Sequence, residues 1–414
     1  MNAIELYNQR YACHWGKIHA EPTKDLGLVV VIPCFEEPDL IRTLSSLYQN
    51  HACQRSVEVV VVINQSISAD EKTDILNRRT FLEATAWADQ RNSDKLAFYI
   101  RFVNDIPEKH AGVGMARKIG MDEAVRRLWE SGNSESGVIV CLDADCVVEN
   151  NYLQSIEAHF INHKNSPACN IYFEHQKADS PKGQLAIDQY ELHLRYYVQA
   201  LRQANFPYAY HTVGSSMACR VDAYVRQGGM NRRKAGEDFY FLHKLIPLGN
   251  FTEIRQTCVY PSPRPSHRVP FSTGRAVNKM LTKNDQEFAT YHWQSFADLK
   301  LFFDLVPEFY RVSTGELSQI VFKLPKSMQA FLEAQNGISL IADIKQKTKK
   351  YDTFHKAFFS AFNAFIVLKW VHFARDHFYE DQPVCLAARQ LCGLTLDLSL
   401  SQVLQHYRQL DRKG

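Results

Sequence analysis

Apolar residues in the first third of the chain come in short unbroken runs, separated by segments in which they recur every three or four positions. "LGLVVVIPCF" (26–35) and "SVEVVVVINQS" (56–66) are β-branched runs, one broken by Pro33 and the other ending in the polar residues Asn64, Gln65 and Ser66. A run without alternation is the mark of a parallel strand covered on both faces. Between them Leu40, Ile41, Leu44 and Leu47 fall at helical spacing, and Pro38 suits a first helical turn. "LAFYIRFV" (96–103) predicts a third strand, Gly114 to Gly132 a helix opened and closed by glycine, and "GVIVCLDADC" (137–146) a fourth strand. Strands alternating with helices predict a doubly wound α/β sheet with ligands at the carboxyl ends of its strands.

The pattern then becomes more helical. It predicts a helix over 151–162, a strand at "CNIYFEH" (169–175) and a long helix from Pro181 to Ala204. The stretch "YPSPRPSHRVPFSTGRA" (260–276) holds Pro261, Pro263, Pro265, Pro270 and Gly274, which exclude regular structure. Beyond Phe288 nearly everything reads as helix, over Phe296 to Phe309, Lys326 to Ala334, Tyr351 to Tyr379 and Ser399 to Gln409. The division this predicts is 1–293 and 294–414, with no internal repeat or low-complexity tract. The most apolar late segment, 357–374, contains Ser360, Asn363, Lys369 and His372 and falls short of the ~20 apolar residues of a spanning helix. It reads as a packed helix burying Phe358, Phe362, Phe365 and Trp370, with a helix lying against a membrane surface as the alternative.

Composition narrows the class. With 414 residues, 45% of them hydrophobic, the chain can build a large core. Its 48 Lys and Arg against 45 Asp and Glu give +3, so no basic field argues for nucleic acid. Nor is there a basic stripe interleaved with stacking aromatics. The ten cysteines are scattered, and neither Cys141 with Cys146 nor Cys385 with Cys392 has the spacing of a structural zinc site. Reduced thiols and a cytoplasmic location are expected. The start, "MNAIELYNQRYACHWGK", lacks the apolar core of a secretory signal.

Chemistry enters with "VIVCLDADCVV" (138–148), where an apolar run finishes on Asp143 and Asp145. Buried unpaired charge is costly, so the two acids either emerge at a solvated strand end or face a cation. In strand geometry their side chains would share one side, with Ala144 opposite. The bland alternative is a solvated pair capping the helix that follows.

Taken in order, "VVIPCFEE", "VVVINQS", "AGVGMARKIGMDEA", the "DAD" after the fourth strand and "GEDF" at 236–239 resemble a family 2 glycosyltransferase of the GT-A fold, over residues 26–280. The resemblance implies an α/β, Rossmann-like mixed sheet followed by a mostly helical C-terminal region. It implies a bacterial, inverting enzyme that moves a sugar from a UDP- or GDP-sugar to a carbohydrate or lipid-linked acceptor, at the inner face of the membrane if the helices touch lipid. Mn²⁺ or Mg²⁺ would be held directly by Asp145, while Asp143 would contact the ribose, or the metal through water. Hard divalent ions suit this because they take few carboxylates and leave places for phosphate oxygens.

The remaining roles are carried over position by position. Asp238 would be the base that takes the acceptor proton, and Glu237 would position the acceptor. Pro33, Phe35 and Glu37 would lie against the nucleoside. Asn64 stands where many relatives have an aspartate on the base, which leaves uracil, guanine and thymine open. Arg117, after Gly112 and Gly114, matches the segment that closes over the nucleotide. His267 would complete the metal shell, Arg268 or Arg275 would clamp the diphosphate, and Gly214 and Ser215 would line the acceptor side. Two alternatives stay open: a nucleotidyltransferase of related fold, against which "PCFEEPD" sets acids where a triphosphate needs bases, and a non-catalytic nucleotide- or partner-binding protein.

Overall fold

The computed structural model describes residues 2–13, 15, 17–264, 277–278, 280 and 287–413. In chain order the first part comprises α1 (Ala3–Arg10), β1 (Leu26–Cys34), α2 (Leu40–Tyr48), β2 (Ser56–Ser66), α3 (Glu71–Asp89), β3 (Leu96–Ile106), α4 (Val113–Glu130), β4 (Val138–Cys141) and β5 (Val147–Val148). There follow α5 (Tyr152–Asn162), β6 (Ala168–Phe173), α6 (Pro181–Gln203), β7 (Met217–Arg220), α7 (Val221–Arg226), α8 (Glu237–Leu245) and β8 (Thr252–Tyr260).

The eight strands form one mixed sheet in the order β3-β2-β1-β4-β7-β6-β8-β5. Every residue of β1 is buried, which is why its sequence shows no alternation. β1 pairs in parallel with β2 on one side and β4 on the other, and β3 extends the parallel half. β7 runs antiparallel to both β4 and β6. The chain leaves β1 toward β2 and β3 and returns on the opposite flank as β4, so the carboxyl ends of β1 and β4 meet at a topological switch point. This is the α/β arrangement that the GT-A resemblance implied.

Some elements differ from expectation. α3 went unread because its buried face is Thr73, Asn77, Thr80, Ala84 and Ala88, while Ile75 and Leu82 face solvent. Small and polar residues on the inner face leave no apolar stripe to detect. The helix expected over 351–379 is two, Tyr351–Ala361 and Ala364–His377, bent by 56°. The side chain of Asn363 causes the restart, accepting from the backbone N–H of Phe365 (3.0 Å) and Ile366 (3.3 Å) as an N-cap inside the apolar run.

The chain divides into two compact units. The first holds residues 1–181, 212–278 and 411–414 and contains the whole eight-stranded sheet; the second holds 182–211 and 279–410, so it draws in α6, which a linear division at 293/294 assigns to the first part. Within the second unit Phe302 packs in tilted and edge-on contacts among Phe309, Phe358 and Phe362. Trp370 is buried there, its indole N–H donating to the Ser295 carbonyl at 2.9 Å, whereas Phe365 is only half-buried. Asp298 accepts from Tyr379 (2.7 Å), Gln294 (2.9 Å) and the Ser327 hydroxyl. Among the described residues no single helix is long and apolar enough to cross a membrane.

Two buried polar sites fix α4 against its surroundings in the first unit. Asp122 accepts from the hydroxyls of Tyr7 (2.6 Å) and Tyr224 (2.7 Å) and from the Cys13 backbone N–H (2.7 Å), with Lys118 at 3.0 Å. On β2, Glu58 is fully buried and receives the Arg127 guanidinium through Nε and Nη2, the latter at 2.8 Å, while Arg127 lies 4.4 Å from the Tyr99 ring. Breaking a buried pair from one side leaves an uncompensated charge. Glu58→Ala is therefore expected to lower unfolding free energy by ~3–5 kcal/mol in urea titrations. Arg79→Ala, whose partner Glu83 is exposed with it, should leave the midpoint in place.

Candidate functional site

β4 stops at Cys141, and one further ladder bond, from the Leu142 N–H to the Val31 carbonyl (3.1 Å), carries the chain to the switch point. Asp143 and Asp145 then sit on a turn closed by the Cys146 N–H donating to the Asp143 carbonyl at 3.1 Å. Strand alternation therefore does not govern their directions. The turn is pinned to α2 by the Thr43 hydroxyl, which donates to the Ala144 carbonyl at 2.7 Å. Both aspartates are half-buried, and neither caps α5, whose N-cap is Asn151 without a side-chain capping bond.

Arg117 lies in the first turns of α4 and is 3% exposed. Its Nη2 is paired with Asp143 and its Nη1 with Glu237, a residue 2% exposed at the start of α8. One guanidinium thus joins the turn after β4 to the acidic pair, although these lie far apart in sequence. Two glycines make room. A Cβ on Gly214 would stand 2.5 Å from both terminal nitrogens of Arg117, and one on Gly114 would stand 2.2 Å from the Arg233 carbonyl oxygen. Gly236, at φ +67°, supplies the left-handed residue that turns the chain into α8. Asn231 steadies the same corner, donating to the Glu237 carbonyl at 2.9 Å.

The electrostatics follow from crowding. Burial alone would lower the Arg117 pKa, but the charges of Asp143, Glu237 and Asp238 outweigh it and hold the guanidinium protonated. Glu237 is pulled both ways: burial raises its carboxyl, Arg117 lowers it, Asp238 raises it again, and the balance stands at about 7. Burial also raises Asp238, against the lowering effects of Arg117 and of backbone bonds from Phe239 (2.7 Å) and Gly214. Three acids around one arginine leave the centre net negative.

The nucleotide-side residues surround the end of β1. Pro33 and Glu37 are buried, Phe35 is half-buried, and Asn64 is buried at the end of β2 in register with Val103. Glu37 takes both oxygens to the Nη2 of Arg264, at 2.7 and 2.6 Å, and Arg264 also reaches Asp39 at 3.2 Å and feels the charge of Asp145. Arg264 was not anticipated. It lies in the proline-rich stretch, whose "PRP" marks irregular backbone without saying what the side chain meets. Ser215 is buried and its hydroxyl bonds the Cys146 thiol, while Gly214 lies against Arg117. His267, Arg268 and Arg275 lie outside the described residues.

Among the described residues no group of three or more His, Cys, Asp or Glu side chains is gathered closely enough to cage a metal. Two aspartates on a solvated turn at a net-negative centre nonetheless fit a hard cation that takes one or two carboxylates and shares its remaining places with phosphate and water. The donor set is thus compatible with Mg²⁺ or Mn²⁺.

No protein-family model matches the chain, and no curated protein does. Among solved structures it is similar to S. aureus TarS 1-349 in complex with UDP-GlcNAc, at 15% identity over 81% of this chain and 91% of that one, with a TM-score of 0.40. The same protein in complex with UDP gives 12%, 78%, 93% and 0.41. GalNAc-T7 with UDP, GalNAc and Mn²⁺ gives 14%, 75%, 54% and 0.36. Likenesses this loose decide nothing about the site.

The raised Glu237 carboxyl sets a pH dependence. Its value of about 7 exceeds the ordinary 4.5, so between these pH values the native state holds a proton that the unfolded chain releases. Stability must then fall as pH rises through that window, with Asp238 acting in the same direction. Denaturant midpoints measured from pH 4.5 to 7.5 should decline in the wild type and decline less in Glu237→Gln; parallel profiles would show that Glu237 titrates normally.

Proposed function

We propose that the chain is a metal-assisted glycosyltransferase that uses a nucleotide-diphosphate sugar. The observation that carries this reading is the convergence, at the switch point of the sheet, of the Asp143–Asp145 turn with the Glu237–Asp238 pair. The first offers oxygen ligands on a solvated turn, and the second offers carboxyls whose pKa values burial has raised toward neutrality. A donor site and a proton acceptor side by side are what sugar transfer to a hydroxyl requires. TarS with UDP-GlcNAc and GalNAc-T7 with UDP are in keeping with such a donor, at the level of fold likeness only.

In this reading Asp143 and Asp145 would hold Mn²⁺ or Mg²⁺, which supplies neutralisation of the diphosphate leaving group. The acceptor oxygen attacks the anomeric carbon while the bond from that carbon to the diphosphate oxygen breaks, its electron pair leaving with the nucleoside diphosphate. Asp238 takes the hydroxyl proton. A carboxylate raised by burial is a stronger base than one in water, so the same desolvation that costs stability favours proton transfer. One displacement inverts the configuration. Glu237, fixed by Arg117, would orient the acceptor, and Pro33, Phe35 and Asn64 would meet the nucleoside. His267 and Arg268 would complete the diphosphate side, and Gly214 and Ser215 would border the acceptor. The reading places the enzyme on the cytoplasmic side, with a carbohydrate or lipid-linked acceptor.

Calorimetric titration of UDP and GDP into the wild type and Asp145→Ala, with and without Mn²⁺, tests the donor half. One nucleotide should bind in a Mn²⁺-dependent manner and lose that dependence in the variant; absence of binding by either would refute a nucleoside-diphosphate donor of these two classes. For the acceptor half, Asp238→Asn should bind the same nucleotide with unchanged affinity while transfer falls by ~10²–10⁴. Undiminished transfer would remove Asp238 from the base role.

A further inference from the structure

The position of Arg117 suggests more than a contact to the donor. Its two terminal nitrogens are committed to Asp143 and Glu237, it is 3% exposed, and the backbone of Gly214 covers the guanidinium so closely that no Cβ would fit. A planar fork already filled on both tines has little left to offer a phosphate. Its Nε is buried and has no hydrogen-bond partner, a deficit tolerated while both Nη groups face carboxylates.

We propose that Arg117 is the positioning residue of the site: it ties the donor-side Asp143 to the acceptor-side Glu237 and acts through these carboxylates, without touching the nucleotide. The inference rests on the transferase reading for the roles of the two acids, but the tie itself stands on geometry. Asp143 belongs to the turn after β4 and Glu237 to the first turn of α8, and among the described residues no hydrogen bond or ion pair joins the two acids directly. Two like charges cannot hold each other in place. A bidentate cation between them fixes both, and α4 in turn is held by the Asp122 cluster little more than one turn further on, where Tyr7, Tyr224 and Lys118 converge. The register of donor against acceptor is thereby set by a buried helix and not by the surface loops that bind substrate.

A double-mutant cycle of Arg117→Met and Glu237→Gln in the full chain tests this. The readouts are thermal unfolding, calorimetric binding of UDP with and without Mn²⁺, and hydrolysis of UDP-N-acetylglucosamine or UDP-glucose. Arg117→Met should melt at a lower temperature, and adding Glu237→Gln should recover much of the loss, because the stranded carboxylate is then neutral. UDP affinity should stay within ~3-fold while turnover falls ~100-fold, and the second substitution should not restore turnover. Additive melting shifts, or UDP binding weakened ~10-fold or more with turnover intact, would overturn the proposal. If Arg117→Met does not fold, Arg117→Lys keeps the charge but cannot fork to both acids. It should bind UDP normally with turnover equally depressed, and full turnover in it would also overturn the proposal. A wild type that binds neither UDP nor GDP, with or without Mn²⁺, and hydrolyses neither donor would remove the transferase reading for these donor classes, while the melting cycle still decides whether Arg117 couples the two carboxylates.

Discussion

A cation placed where water cannot reach must be matched by anions, and the first unit is arranged so that Arg117 is matched twice. That requirement reaches well beyond the pair. It demands that the turn after β4 and the start of α8 approach one helix, that Gly214 present bare backbone to the guanidinium, and that Gly114 let the 231–236 stretch close in. It also demands that α4 not rotate, since a small twist would withdraw the fork from one partner. The Asp122 cluster and the Glu58–Arg127 pair meet that demand from two other sides of the helix. Buried ionic groups rarely add net stability over apolar packing, but they penalise every misalignment heavily. Here the penalty falls on wrong placements of the acids that the proposed chemistry uses.

Much of this was legible in the chain. The runs at 26–35 and 56–66 read as inner strands because their apolar residues are continuous and not alternating, and the parallel pairing of β1 with β2 agrees. Asp143 and Asp145 stood out because carboxylates are out of place at the end of an apolar run unless something outside the run meets them, whereas Glu237 and Asp238 were marked only by the family resemblance of "GEDF", since acids in a first helical turn are ordinary. The place of Asp143 and Asp145 follows from topology, since the carboxyl ends of neighbouring parallel strands are where a doubly wound sheet is open; Glu237 and Asp238 reach it from α8, beyond the antiparallel β7.

What stayed hidden was pairing across long stretches of chain. A lone Arg on a helix gives no sign that it will be buried between two carboxylates. Arg264, in a stretch distinguished only by prolines, could not be connected to Glu37 without coordinates. α3 escaped for the opposite reason: its inner face is polar, and Asn77 and Thr73 are buried because they bond Gln65 (3.0 Å) and Glu36 (2.5 Å) at the ends of the first two strands. Periodicity detects apolar faces, and a helix docked through hydrogen bonds has none. The bend at Asn363 was a missed start signal, outweighed by the apolar residues on both sides of it.

The strand order also governs how the molecule can be made. A chain emerging residue by residue from a ribosome can pair β1, β2 and β3 early, because these neighbours lie within 26–106. That intermediate leaves β1, buried along its whole length in the finished fold, with an open edge until residues 138–141 arrive. The far half of the sheet waits longer still: β6 needs β8, whose residues 252–260 follow both α6 and α8 in synthesis. Non-local parallel pairing is slow, and an uncovered apolar edge invites pairing with other chains. The nascent protein therefore passes through a window, about thirty residues long between the close of β3 and the start of β4, in which its central strand is exposed and its own partner does not yet exist.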